Sequence, residues 1–137
     1  MRRLLAVGLM TLPLGSCSST PADLEAKTAP IVTSYNENYQ ELYRRVAGTA
    51  KRCFAGNVSA YASFAVDTEL FSELGYGEMS VSLINMGTRN YYVSAKFEKQ
   101  PAGSKMTIRS GNTLAANRYV DTVQRWANGT DLSCPLI

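Results

Sequence analysis

The sequence predicts an α+β domain: an N-terminal helix, an antiparallel meander of three or four strands, and a C-terminal helix, with both helices on one face of the sheet. Three observations carry this expectation. Over 31–53 apolar residues recur every three or four positions, the period of an amphipathic helix. Over 79–109 apolar and polar residues alternate, the period of a half-buried strand, and glycine- or proline-containing turns separate the runs. Past Thr113 the helical spacing returns. A chain of 137 residues that is 45% hydrophobic and 18% charged is too short for two independent cores and too apolar for disorder.

The first helix is read from Ile31, Tyr35, Tyr39, Leu42, Val46, Ala50 and Cys53, with Pro30 in its first turn and Gly56-Asn57 as its stop. The stretch 58–71 reads two ways. Phe64, Val66, Thr68 and Leu70 alternate as in a strand, whereas Asp67 followed by Leu70, Phe71 and Leu74 would cap and bury a short helix; the strand is favoured. After Gly75-Tyr76-Gly77, Met79, Val81 and Leu83 alternate with Ser80 and Ser82 up to Gly87-Thr88. Tyr91, Val93, Ala95 and Phe97 then alternate with Tyr92, Ser94, Lys96 and Glu98, which puts Tyr91 and Tyr92 on opposite faces of a second strand and Ser80, Ser82, Ser94, Lys96 and Glu98 on the exposed face of the sheet. Met106 and Ile108 make a third short strand beyond the turn at Pro101-Ala102-Gly103-Ser104. The last helix carries Leu114, Ala116, Val120, Val123 and Trp126 or Ala127, with Asn112 or Thr113 as N-cap and Gly129 as stop. Short turns favour antiparallel hairpins, and strands with one apolar face place both helices on that face.

The amino terminus speaks to location. Met1-Arg2-Arg3 precedes an apolar stretch of about eleven residues, shorter than the roughly twenty needed to span a bilayer, and has the layout of a secretory signal. It ends in Leu14-Gly15-Ser16-Cys17, an aliphatic residue, two small residues and a cysteine. This resembles the lipobox of bacterial lipoproteins. The resemblance implies that residues 1–16 are a cleaved signal peptide, that Cys17 carries a diacylglyceryl group and an amide-linked acyl chain, and that two or more chains anchor the protein firmly. Ser18, where many lipoproteins retained in the inner membrane have Asp, implies a periplasm-facing position at the outer membrane. Residues 17–29 are small, polar and proline-containing and read as the acylated cysteine and a flexible tether of about 19 Å reach, leaving 30–137 as the domain. In an oxidising envelope Cys53 and Cys134 are expected to form a disulfide, the alternative being two free thiols packed as small hydrophobes.

Function is less legible. There is no histidine, hence neither the commonest general base nor the commonest metal ligand, and no cofactor or metal site is expected. Asp67 and Glu69 share a strand face, as do Ser94 and Lys96, but both spacings are common on solvated strands; no catalytic residue is assigned. Without Arg2 and Arg3 the chain has 12 basic against 11 acidic side chains, which gives no electrostatic case for nucleic acid. Arg44, Arg45, Lys51 and Arg52 line the polar side of the first helix, either as a solvated, internally compensated face or as a patch for anionic headgroups. Tyr43 and Tyr92 are interface candidates wherever they are exposed. The expectation is a non-catalytic binding or accessory module, held to the membrane by lipid and working with an envelope protein partner. The alternative is a carrier or sensor of a small ligand or peptide enclosed between sheet and helices.

Overall fold

Alternation builds the sheet, and more of the chain joins it than the sequence suggests. The computed structural model describes residues 20–111 and 115–135. Its elements are α1 (Pro21–Lys27), β1 (Ile31–Tyr35), α2 (Tyr39–Phe54), β2 (Gly56–Asn57), β3 (Ala62–Phe71), β4 (Tyr76–Asn85), β5 (Thr88–Gln100), β6 (Gly103–Ser110) and α3 (Ala116–Asn128). The strands form one antiparallel six-stranded sheet in the order β1-β6-β5-β4-β3-β2. The α+β expectation holds, with six strands in place of three or four. The strand reading of 58–71 is met by β3.

Two segments differ from expectation. Ile31 and Tyr35 do not open the first helix: they lie on edge strand β1, where Ile31 pairs with Ile108 and Tyr35 with Ser104. Residues four apart lie on one face of a strand as well as of a helix, so the spacing over 31–35 fitted both. The helix starts instead after Asn38, whose side chain accepts the N–H of Gln40, with Glu41 in the first turn. The stretch read as flexible tether contains α1. Thr20 accepts the N–H of Asp23, Pro21 occupies the first turn, and Leu24 is fully buried. Asn112, Thr113 and Leu114, expected at the start of the last helix, lie outside the described residues, and α3 begins after Ala115 with no side-chain cap.

α2 and α3 share one face of the sheet. Leu42, Val46, Ala50 and Phe54 of α2 and Val123 and Trp126 of α3 pack on Val81, Val93, Phe97, Met106 and Ile108, all buried. α1 lies on the opposite face: Arg109, which alternates with core-facing Ile108, donates to the carbonyls of Glu25 and Thr28. A disulfide joins Cys53 to Cys134, with Cα atoms 5.1 Å apart, tying the last turn of α2 to the segment after α3.

A register shift decides which way two tyrosines face. Val81 pairs with Val93 but Ser82 pairs with Tyr91, leaving Tyr92 as the extra residue of a bulge. Tyr92 thereby turns to the helix side, packing against Phe64 and Tyr119, while Tyr91 faces the other way beneath Arg89.

Two turns have demanding backbones. Gly103, at φ 103°, leaves no room for a side chain, since a Cβ there would sit 2.0 Å from the Tyr35 carbonyl oxygen. The β4–β5 turn places Met86 at φ 47° and Gly87 at φ 81°, the positive-φ pair of a type I′ turn, in which Asn or Asp normally precedes Gly. Met86→Asn should therefore raise the unfolding free energy by about 1 kcal/mol, because Asn visits the left-handed region at lower cost. Urea denaturation measures this, and an unchanged or lowered midpoint refutes it.

Candidate functional site

The face opposite α2 and α3 carries a groove of about 800 Å³. Strand register constructs it row by row. Asp67, Ser80, Ser94 and Arg109 lie side by side across β3, β4, β5 and β6; Glu69, Glu78, Lys96 and Thr107 form the adjacent row. Pro21 and Glu25 of α1 contribute to one wall, and Arg89, Tyr91 and Glu98 complete much of the rest. Side chains on neighbouring strands are held about 5 Å apart by the backbone ladder, so the polar groups are positioned by the sheet rather than by loops.

Some of the charges in the groove are matched. Arg89 donates to Asp67 at 2.7 Å and lies 5.6 Å from the centre of the Tyr91 ring. Its hydrogen bond with the Tyr91 hydroxyl, aided by Asp67, raises its pKa above the ordinary guanidinium value. Lys96 sits 4.6 Å from the centre of the Tyr76 ring and 4.0 Å from Glu98, which Lys105 approaches at 2.9 Å. Glu69 and Glu78 face each other directly across β3 and β4, a like-charge juxtaposition that costs stability on its own.

This arrangement redistributes the residues singled out from sequence. Ser94, Lys96, Asp67 and Glu69 all line the groove, but Asp67 is engaged by Arg89, and Lys96 makes the ring and carboxylate contacts of a cation. Ser82, expected on the solvated face, is wholly buried.

The four basic residues of α2 have different surroundings. Arg44 is exposed and pairs with Glu41 at 2.7 Å. Arg45 is partly buried, forks onto Glu37, and donates to the carbonyls of Trp126 and Ala127, neutralising the carboxyl end of α3. The hydrogen bond that Arg45 donates to Glu37 raises the arginine's pKa. Arg52 donates to the Leu132 carbonyl at 2.6 Å. Of the four, only Lys51 is among the residues lining the groove. Tyr43 is buried edge-on to Phe97 and Tyr92 is half-buried in the core, so neither offers the open ring an interface needs. Both sit on the apolar face of their element, and that removes them from the interface candidates. Cys17 lies outside the described residues.

Sequence reasoning missed the groove-lining role of Arg89, Tyr91 and Arg109. The signal was partial: Arg109 alternates out of the core in the predicted third strand, but the bulge that turns Tyr91 outward has no local signature. Among the described residues, no group of three or more His, Cys, Asp or Glu is placed to hold a metal ion, and no helix is long and apolar enough to cross a membrane.

No family model and no curated protein matches the sequence. Among solved structures, the chain is similar to the crystal structure of DynU16, a protein in the dynemicin biosynthetic locus, with a TM-score of 0.47 and 10% identity over 76% of this chain. It spans 47% of that protein's length.

Proposed function

We propose that this is a lipid-anchored cell-envelope protein that works by binding: a non-catalytic accessory module at the outer membrane whose partner-facing surface is the groove on the open face of its sheet. The observation that carries the reading is the groove itself. Most of its polar side chains stand on strands, and two of its ion pairs, Arg89–Asp67 and Lys96–Glu98, are already formed, so a partner meets a largely preorganised polar surface and little side-chain ordering is needed on binding. The opposite face is filled by Trp126, Phe97, Leu42 and Val46, which favours recognition on the surface over a small ligand enclosed between sheet and helices. Location rests on the sequence: Leu14-Gly15-Ser16-Cys17 supplies the lipidation site, and Ser18 favours the outer membrane. With α1 capped at Thr20, only Ser18 and Ser19 lie between Cys17 and the folded domain in the sequence.

Two experiments test this. Cys17→Ser should move the protein from the membrane fraction to uncleaved or soluble precursor, and an acylated membrane-bound product would refute the anchor. Crosslinking in intact cells, followed by purification through the anchor and mass spectrometry, should recover one discrete protein at stoichiometric yield. Ser94→Arg, which fills the centre of the groove, should reduce that yield several-fold with the fold intact. Full recovery with Ser94→Arg places the interface elsewhere, and a small molecule recovered without protein replaces the adaptor by a carrier.

A further inference from the structure

We propose that one end of the sheet is a membrane-contact tip in which Val58, Tyr61 and Met86 enter the surface of the bilayer that holds the Cys17 acyl chains; this rests on the lipidation of Cys17 proposed above. The three side chains are 52%, 75% and 83% exposed. They belong to one contiguous end of the molecule, because the N–H of Met86 donates to the Tyr61 carbonyl at 3.1 Å and Asn85 pairs with Ala62. Scattered exposed hydrophobics need no explanation, but a cluster of three at one end marks a contact surface.

Charge points to lipid as the occupant. No charged residue occurs over 54–66 or over 79–88, and Arg89, one register position back from the turn on the outgoing strand, is held by Asp67. The other end of the same strands carries Glu69, Glu73, Glu78, Glu98, Lys99 and Lys105. A charge carried into the apolar layer is costly, so the first end approaches it at a lower cost than the second. Tyrosine suits the level of the headgroups, with its ring in the apolar boundary and its hydroxyl in water. Met86 occupies a turn position that disfavours it, so neither folding nor solubility accounts for its presence there.

The anchor can reach the same surface. The side chain of Leu24 lies beside Gly111 and the Tyr91 carbonyl, and the Tyr91–Ser82 pair is three register positions from the turn pair Asn85–Thr88, or about 10 Å along the strands. Cys17 precedes the cap of α1 by three residues, which span at most about 11 Å. Lipid and tip can therefore enter one bilayer with α1 folded, holding the sheet on its end and leaving the groove open at the side.

The test uses the full acylated protein reconstituted into vesicles of phosphatidylethanolamine and phosphatidylglycerol with brominated acyl chains. The Tyr61→Trp variant should show blue-shifted emission and several-fold stronger quenching than the Leu74→Trp variant, whose substitution is exposed at the charged end. Buried Trp126 contributes equally to both. In the Tyr61→Trp background, Met86→Asn should weaken the quenching without lowering stability. Equal quenching of the two indoles in acylated protein overturns the tip while leaving the anchor intact. Shielding of the Tyr61→Trp indole from acrylamide without bromine quenching makes the end a contact between copies and also overturns it. A mass showing no acyl group on Cys17 overturns the anchor and the tip together.

Discussion

Replacing Cys53 and Cys134 together by serine should lower the unfolding free energy by about 4 to 5 kcal/mol. The bond closes a loop with a sequence separation of 81, and in the chain-entropy picture a cross-link of that span removes about this much freedom from the unfolded chain. For a domain of ordinary stability, about 5 to 15 kcal/mol, this is about a quarter or more of the total. The bridge also fixes the tail against the last turn of α2, but it does not act alone there. Arg52 holds the Leu132 carbonyl, and Asp131 accepts the Ser133 N–H and pairs with Arg125 at 2.8 Å. The backbone hydrogen bond from Ser133 holds the Asp131 carboxyl below the usual carboxylate range. The tail should therefore remain partly docked in the serine variant. Urea denaturation of the native protein with and without reductant measures the effect, and the reduced protein should match the double variant. Coincident curves for oxidised and reduced protein would show that the bridge contributes nothing.

Trp126→Ala should cost about 3 to 5 kcal/mol, the range for deleting a large buried aromatic side chain. Trp126 is fully buried and edge-on to Phe54, and its indole N–H donates to the Ser133 carbonyl at 2.9 Å. Truncation opens a cavity beneath α2 and removes one contact holding the tail. Trp126→Phe separates these effects: it keeps most of the packing, loses the hydrogen bond, and should cost markedly less than alanine. Because Ser133 adjoins Cys134, Trp126 and the disulfide hold the same segment, and their effects should not add. A cycle combining Trp126→Phe with the serine pair measures the coupling. If Trp126→Ala cost under about 1 kcal/mol, the residue would not be central to the core, contrary to its burial.

Much of the fold was legible in short-range pattern. β3 to β6 each alternate apolar and polar residues over at least two turns of the pleat, and α3 places Val120, Val123 and Trp126 on one stripe, so local sequence suffices to define them. α1 was also announced: Thr20-Pro21-Ala22-Asp23 holds a cap, a first-turn proline and an early acid, but its single apolar anchor, Leu24, is too little periodicity to distinguish a docked helix from a polar link. β1 was hidden because Ile31 and Tyr35 satisfy both periods, and only pairing with β6 selects the strand. The groove was partly visible, since Ser80, Ser94, Lys96 and Glu98 were expected on the solvated face. The row structure that joins Asp67 to Arg109 needs the order of the strands, which no local pattern encodes.

By itself, then, the sequence determined what periodicity and composition control: the helical and extended stretches, the two charge-free runs at one end of the sheet, and the cysteines available for a bridge. The tertiary structure decided which of those residues face one another. The bulge at Tyr92, the placement of Arg45 on the end of α3, the burial of Tyr43 and the assembly of the groove all depend on contacts between segments distant in sequence. A side chain's partner is set by the packing of whole elements, and the free energy of that packing is a property of the assembled core rather than of any window along the chain.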